Sequence, residues 1–160
     1  MQKILDFFSE NDHFARHCGI ILLEVKPGWA RAKMDIQPSH MNGAKTVHGG
    51  AIFTLADFTF AAAANSQGQL ALAVNTSISF LEPTYDGSLF AEAEELAVNR
   101  RLGHYQVKIT NNKQQLIAQF QGTAYRKNQS LLWQVTTEEK PSGWTMITFH
   151  SYLKELYKND

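Results

Sequence analysis

The most constraining feature of the chain is the apolar segment at residues 48–68, HGGAIFTLADFTFAAAANSQG. Within residues 51–64 nearly every side chain is apolar and no polar side exists, which is typical of a helix buried inside a protein. One carboxylate, Asp57, lies in the middle of this segment. Because an unpaired buried charge is costly, the pattern predicts that Asp57 is paired, protonated or used in chemistry.

The composition excludes several classes of protein. The 160 residues suffice for one domain with a substantial core. The 15 basic residues balance the 15 acidic ones, which argues against a non-specific nucleic-acid or membrane-surface binder. The single cysteine, Cys18, excludes an internal disulfide and suits a reducing compartment. With no signal-peptide pattern at the start and no apolar run long enough to span a bilayer, we expect a cytoplasmic protein.

Turn residues and period-two alternation predict six strands around the apolar helix. The connections between the later strands are too short for helical crossovers, so we expect a four-strand antiparallel meander after the helix, with the helix covering its apolar face. The predicted fold class is α+β. Two short helices are expected at residues 4–8 and 12–17, the central helix is expected to end near residues 67–68, and strands are expected at 19–25, 29–36, 74–80, 89–98, 105–109 and 116–126.

Small and polar residues form a narrow stripe along the central helix. At 100° per residue, Gly50, Thr54, Asp57 and Ala61 share this stripe, and the bulky residues fall outside it. Asp57 lies roughly 10 Å along the axis from Gly50, too far for its carboxylate to serve a reacting atom at its own helix N-terminus. In a two-fold dimer with helices packed antiparallel through the stripe, Asp57 of one chain approaches Gly50 of the other, making two equal sites.

This arrangement predicts a hydrolytic site for an activated acyl group. Backbone N–H groups at the helix start, around His48, Gly49 and Gly50, can bind an anion and stabilise an oxyanion. The carboxylate of Asp57 can activate a water or attack the carbonyl itself. No serine, cysteine or metal is needed, and a pair of histidines at helical spacing lacks a third ligand for zinc.

Other candidate residues each have a functional and a structural interpretation. His48 can act as a general acid, but a histidine at a helix start more often holds its loop. Asn42 can orient a water or make an Asx turn, and Thr54 can bind a water or bond back within the helix. Arg100 and Arg101, at a predicted turn, suit phosphate binding or a solvated turn equally well.

Seven short motifs are distributed along the chain: Asn42-Gly43, His48-Gly49-Gly50, Leu55-Ala56-Asp57, Asn65-Ser66, Phe80-Leu81-Glu82-Pro83, Arg100-Arg101-Leu102-Gly103 and Gly122-Thr123-Ala124-Tyr125-Arg126. Together they resemble the hotdog-fold acyl-CoA thioesterases of the phenylacetic-acid-degradation (PaaI) type. The resemblance covers residues 10–127 and implies a curved antiparallel β-sheet wrapped around a long central helix, with active sites at a dimer interface and dimers often paired into tetramers.

The resemblance also implies roles for individual residues. Asp57 matches the catalytic carboxylate, and Gly50 matches the residue whose N–H faces the thioester carbonyl. Asn42 and His48 match positions that shape or contact the site. The implied substrate is an acyl-CoA, so coenzyme A is part of the substrate and no separate cofactor is expected; Arg100 and Arg101 would then contact its phosphates.

We therefore expect a hotdog thioesterase domain at residues 1–127 and a C-terminal extension at 128–160, a strand or linker followed by a helix, that serves stability or assembly. Two other functions remain open. One is a hotdog dehydratase, for which no matching histidine strand motif exists. The other is a non-catalytic acyl-CoA-binding protein or sensor, against which the retained Asp57 argues.

Overall fold

Six antiparallel strands and one long helix make up most of the structure, a computed structural model that describes residues 1–131. The sheet order is β1-β2-β4-β5-β6-β3, and the α+β class is confirmed. The elements are α1 (Gln2–Asn11), α2 (His13–His17), β1 (Ile20–Lys26), β2 (Trp29–Asp35), a 3₁₀ turn (Pro38–His40), α3 (Gly49–Ala64), β3 (Gln69–Phe80), β4 (Ser88–Val98), β5 (Leu102–Asn111) and β6 (Leu116–Ser130).

The prediction of a four-strand meander after the helix is wrong for β3, which does not pair with β4. β4, β5 and β6 do form consecutive hairpins, but β3 pairs with β6 at the edge of the sheet, and β4 pairs with β2. The connection at residues 81–87 passes the end of β6, where the Leu81 N–H donates to the Ile117 carbonyl at 2.9 Å. Seven residues can span roughly 23 Å, which exceeds three inter-strand spacings of about 4.8 Å, so this connection need not close a hairpin.

Alanines on the inner face of the sheet let α3 approach closely. β2 and β4 each place two fully buried alanines toward the core, at 30 and 32 and at 91 and 93. Leu55, Ala56 and Phe60 of α3 are buried there, and Phe60 also contacts the rings of Tyr105 and Phe120 at centroid distances of 5.4 and 5.7 Å. The prediction that the apolar helix covers the sheet is confirmed.

One side of α3 remains uncovered by the rest of the described chain. Gly50 is exposed, and Thr54, Asp57 and Ala61 are only half-buried, whereas Leu55 and Phe58 on other sides of the helix are buried. The stripe of small and polar residues is therefore the open side of the helix.

Two boundaries differ from the sequence-based expectations. α3 ends at Ala64 instead of continuing to residues 67–68, because the Asn65 side chain donates to the carbonyls of Ala61 and Ala71 and accepts from the Ala71 N–H. β6 continues to Ser130, so the expected domain boundary at residue 127 falls within a strand. The rest of the expected C-terminal extension lies outside the described residues. None of the helices in residues 1–131 is long and apolar enough to cross a membrane.

Candidate active site

Asp57 is a half-buried carboxylate on the open side of α3. Within residues 1–131, no hydrogen bond or ion pair engages its side chain. Burial raises the pKa of Asp57, and the negative charge of Asp12 at the start of α2 raises that pKa further. Local donors therefore do not satisfy the Asp57 carboxylate in the described residues. Its raised pKa makes its ionised form a better proton acceptor.

The N-terminus of α3 is closed on one side by His48. The His48 Nδ1 accepts the Gly50 N–H at 2.8 Å, and the His48 carbonyl accepts the Ala51 N–H at 2.9 Å. The Gly49 N–H has no hydrogen-bond partner in the part of the chain that the structure describes. The helix start thus offers one backbone donor directly, and the Gly50 N–H becomes available only when the imidazole rotates away.

Both glycines at this helix start are tightly surrounded. A Cβ added to Gly49 would lie 3.0 Å from the Phe80 Cζ, and one added to Gly50 would lie 2.9 Å from the His48 Nδ1. Larger residues at either position would therefore push on Phe80 or on the capping imidazole. Glycine at both positions avoids these close contacts.

Asn42 holds the loop that leads into α3. Its Oδ1 accepts from the N–H groups of Ala44 and Thr46 at 2.9 and 3.1 Å, and its Nδ2 donates to the Thr46 Oγ1 at 2.8 Å. The side chain thus makes the Asx turn that was one of its two sequence-based interpretations. Its contribution to the site, in this conformation, is to shape the loop that presents His48.

Thr54 bonds within its own helix. Its Oγ1 donates to the Gly50 carbonyl at 2.8 Å, which is the back-bonding interpretation. The hydroxyl oxygen retains the capacity to accept a hydrogen bond from a water on the open side of α3.

Arg100 and Arg101 lie in the β4–β5 turn beside a groove of about 410 Å³. Arg126 and Lys127 of β6 also line this groove, so four cationic residues share it. Arg126 donates through Nη1 to the Asn99 carbonyl at 2.9 Å, which fixes β6 against the turn. Sequence analysis missed this clustering because the register that pairs Leu102 with Tyr125 is a tertiary feature.

The groove and the N-terminus of α3 lie at opposite ends of the protomer. The N-terminus packs on Phe80, which pairs with Ala118, whereas Ala71 pairs with the groove residue Arg126. Nine residues of strand separate Phe80 from Ala71, or roughly 30 Å. Asp57 is likewise about 10 Å along the axis from Gly50, since α3 is continuous between them. The structure therefore groups His48, Gly50 and Thr54 at the start of α3, but within one chain it keeps this group apart from the Asp57 carboxylate and from the cationic groove.

Cysteine and metal chemistry have little support among the described residues. Burial, followed by the charge of Asp12, raises the pKa of the Cys18 thiol, which disfavours the reactive thiolate. No group of three or more His, Cys, Asp or Glu side chains in residues 1–131 is placed to hold a metal ion.

Comparison with known proteins gives consistent matches. The family model for the thioesterase superfamily matches residues 44–118. The acyl-coenzyme A thioesterase PaaI of Escherichia coli is 37% identical over 118 residues, covering 73% of this chain and 84% of that protein.

Solved structures agree with these sequence matches. The structure of the E. coli PaaI protein from the phenylacetic acid degradation operon aligns with a TM-score of 0.78 at 34% identity, covering 81% of this chain and 94% of that one. A variant of the phenylacetic acid degradation protein PaaI from Thermus thermophilus aligns with a TM-score of 0.69 at 31% identity, covering 71% and 98%.

Proposed function

The chain belongs to the thioesterase superfamily and has the hotdog fold of its PaaI-type relatives, and we propose that it hydrolyses an acyl-CoA to the free acid and coenzyme A. The observation that best supports this activity is the half-buried carboxylate of Asp57 on the open side of α3, without a hydrogen-bond partner in residues 1–131. A positioned, unengaged carboxylate can act as the base or the nucleophile in the hydrolysis of an activated acyl group.

In the proposed reaction, Asp57 acts on the thioester carbonyl carbon by one of two routes. As a base, it removes a proton from a water whose oxygen attacks that carbon. As a nucleophile, it attacks the carbon itself, and water then hydrolyses the resulting anhydride. In both routes the carbon–sulfur bond breaks and the thiolate of coenzyme A leaves.

The start of α3 stabilises the oxyanion that forms during the attack. The Gly49 N–H is available, and the Gly50 N–H becomes available when His48 releases it. Such donors act together with the positive end of the helix dipole, and removing one typically costs about 100- to 1,000-fold in kcat. His48 thus controls access to Gly50, and Asn42 and Thr54 support the local backbone.

We propose that the working unit is a homodimer, with tetramers a further step of assembly. β3 is an edge strand of 12 residues whose Leu72 and Val74 side chains are 45% and 59% exposed. An exposed edge of this length is a template for pairing. Antiparallel pairing of β3 with its copy would place one chain's β3 start beside the other chain's β3 end.

Such a dimer would join the two halves of the site. The cationic groove lies by the start of β3, and the N-terminus of α3 lies by its end, so two-fold pairing would bring the groove of one chain toward the α3 N-terminus of the other. Arg100 and Arg101 would then bind phosphates of coenzyme A, since the planar guanidinium matches phosphate geometry. The cytoplasmic location and the absence of nucleic-acid and membrane partners remain predictions from composition.

Thiol release from a panel of acyl-CoAs tests the proposal. We expect the full chain to release coenzyme A, and Asp57→Asn to lower kcat at least about a hundredfold, the usual scale for a positioned base. Asp6→Asn, on the exposed side of α1, is the matched control and should leave kcat unchanged. A folded Asp57→Asn protein with normal turnover would contradict this mechanism.

The hydrogen bond from the Gly50 N–H to His48 favours one alternative, a non-catalytic acyl-CoA-binding protein or sensor, because it closes part of the oxyanion site. Binding of acyl-CoA without thiol release would support that alternative. Loss of the enoyl absorbance of an enoyl-CoA on hydration would instead indicate a dehydratase.

A further inference from the structure

A cavity of about 260 Å³ opens beside the C-terminal half of α3. Its walls include Ala61, which follows Asp57 by four residues on the same open side of the helix, about 6 Å along the axis. The other walls come from α1, from the start of β3 and from the end of β6 with the residue that follows it; they include Phe7, Phe8, Leu70, Leu72, Ser130 and Leu131.

The walls of this cavity are mostly apolar, and the two polar side chains that line it are Ser130 and Asn65. Asn65, the C-cap of α3, donates to the carbonyls of Ala61 and Ala71 at 2.9 and 3.0 Å and accepts from the Ala71 N–H at 2.8 Å. Because both donors of this amide are engaged by the backbone, the cavity suits an apolar occupant.

A second cavity on the other side of Phe8 has a different character. It has about 210 Å³ and is lined by Asp12 and Arg16 together with Phe58. Phe8 separates the two spaces and contacts Phe58 edge to face at a centroid distance of 5.9 Å. The charged side chains make this second cavity a poor receptor for a hydrocarbon chain.

We propose that the cavity between α1, α3 and β3 receives the acyl chain of the substrate and sets its length. This inference rests on the proposed thioesterase activity. With the thioester carbonyl at Asp57, an acyl chain that runs along α3 past Ala61 enters this cavity. An apolar cavity of about 150 Å³ holds a benzene molecule, so about 260 Å³ accommodates a saturated chain of medium length, near eight carbons, and leaves the end of a longer acyl chain outside the cavity.

Acyl-chain preference tests the assignment directly. Each methylene that leaves water favours binding by about fourfold, so octanoyl-CoA should exceed acetyl-CoA in kcat/KM by at least about tenfold, and palmitoyl-CoA should show no further gain over octanoyl-CoA. Leu70→Phe, which fills the cavity, should lower kcat/KM for octanoyl-CoA about tenfold. The same substitution should change kcat/KM for acetyl-CoA by no more than about twofold. Phe7→Ala, which enlarges the cavity, should raise kcat/KM for palmitoyl-CoA relative to kcat/KM for octanoyl-CoA.

Phe14→Ala is the matched control, since Phe14 is 63% exposed on α2 and lines neither cavity. If neither Leu70→Phe nor Phe7→Ala alters the dependence of kcat/KM on acyl-chain length, the assignment is wrong. The assignment is also wrong if Leu70→Phe changes the oligomeric state and leaves that dependence unaltered, because a second copy of the chain would then fill the cavity.

Binding measurements distinguish the acyl-chain cavity from the thioesterase activity, because the cavity can be tested without hydrolysis. If no acyl-CoA releases thiol, the thioesterase activity is refuted, but binding still decides the role of the cavity. Calorimetry on Asp57→Asn should then show that octanoyl-CoA binds at least about tenfold tighter than coenzyme A, and that adding Leu70→Phe removes the difference. Equal affinities for octanoyl-CoA and coenzyme A in Asp57→Asn would refute the acyl cavity.

Discussion

At the scale of single residues, two influences act on Asp57 in the same direction. Burial is the larger and the charge of Asp12 the smaller, and both raise the pKa of the Asp57 carboxyl. Asp12 is itself fixed as the N-cap of α2, where its Oδ1 accepts the Ala15 N–H at 2.9 Å. Asp12 can therefore tune the pKa of the carboxylate that we propose as the catalytic group.

Asp12→Asn is expected to shift the acid limb of the pH–rate profile. Asp57 acts in its ionised form in the proposed reaction, so activity falls as the pH drops below its raised pKa. Removing the Asp12 charge lowers that pKa, and the acid limb should move to lower pH with the maximal rate preserved. Asparagine caps helices nearly as well as aspartate, so the fold should persist.

The control for this experiment is Glu10→Gln, which also converts a carboxylate to an amide near α2. Its profile should match that of the unaltered protein. An acid limb that Asp12→Asn leaves in place, or moves to higher pH, would show that Asp12 does not act on the catalytic group.

Replacing Arg100 and Arg101 together by alanine should raise KM for acyl-CoA more than it lowers kcat. Contacts to phosphates far from the reacting carbon contribute equally to substrate and transition-state binding. Acyl-pantetheine substrates lack the nucleotide and should show a smaller effect. Lys113→Ala, an exposed cation in the β5–β6 turn, is the matched control; equal KM changes for both substrate types would contradict a phosphate site.

At the scale of elements, the sequence predicted which segments form but not all of their partners. Helical periodicity fixes the angles between side chains, so the open stripe of α3 follows from the sequence alone. The alternation of apolar and polar residues along β3 predicts a strand, but it does not determine which strand pairs with β3. The pairing of β3 with β6 depends on a seven-residue connection that can close a hairpin or cross two strands.

Several features of the site were inaccessible to sequence analysis for the same reason. The bond from the Gly50 N–H to His48 depends on an imidazole rotamer, and the grouping of Arg126 with Arg101 depends on strand register. The influence of Asp12 on Asp57 depends on how α2 packs against α3. Periodicity and motif spacing contain none of this tertiary information.

The edge strand gives a prediction about assembly. Val74→Glu places a charge on the exposed part of β3, where like charges on paired copies destabilise the contact. We expect a lower molar mass by light scattering and a loss of thioesterase activity in proportion to the monomer formed.

Ile21→Glu is the control for this substitution, since Ile21 is 55% exposed on β1, the opposite edge strand of the sheet. It should retain the mass and activity of the unaltered protein. A dimer that survives Val74→Glu and dissociates with Ile21→Glu would place the interface on the other edge of the sheet.

At the scale of the whole molecule, one protomer contains every proposed part of the site but holds the parts at a distance. Asp57 is too far along α3 to reach an acyl oxygen at its own helix start, and the cationic groove lies by the opposite end of β3. The isologous dimer that we propose would bring these parts together and would create two equal sites. Each of the two sites would then combine the Asp57 carboxylate of one chain with the α3 N-terminus of the other.

Complementation between inactive chains tests this arrangement. Asp57→Asn removes the carboxylate, and Gly50→Leu disturbs the oxyanion donors, because any Cβ at Gly50 lies 2.9 Å from the His48 Nδ1. When the two variants are mixed, unfolded and refolded together, random pairing makes half of the dimers mixed, with one intact site in two, so activity should return to about a quarter of normal. Refolding each variant alone is the control and should restore nothing. Mixed dimers confirmed by mass, yet without activity, would show that Asp57 and the helix start of the same chain act together, and a shared site would be refuted.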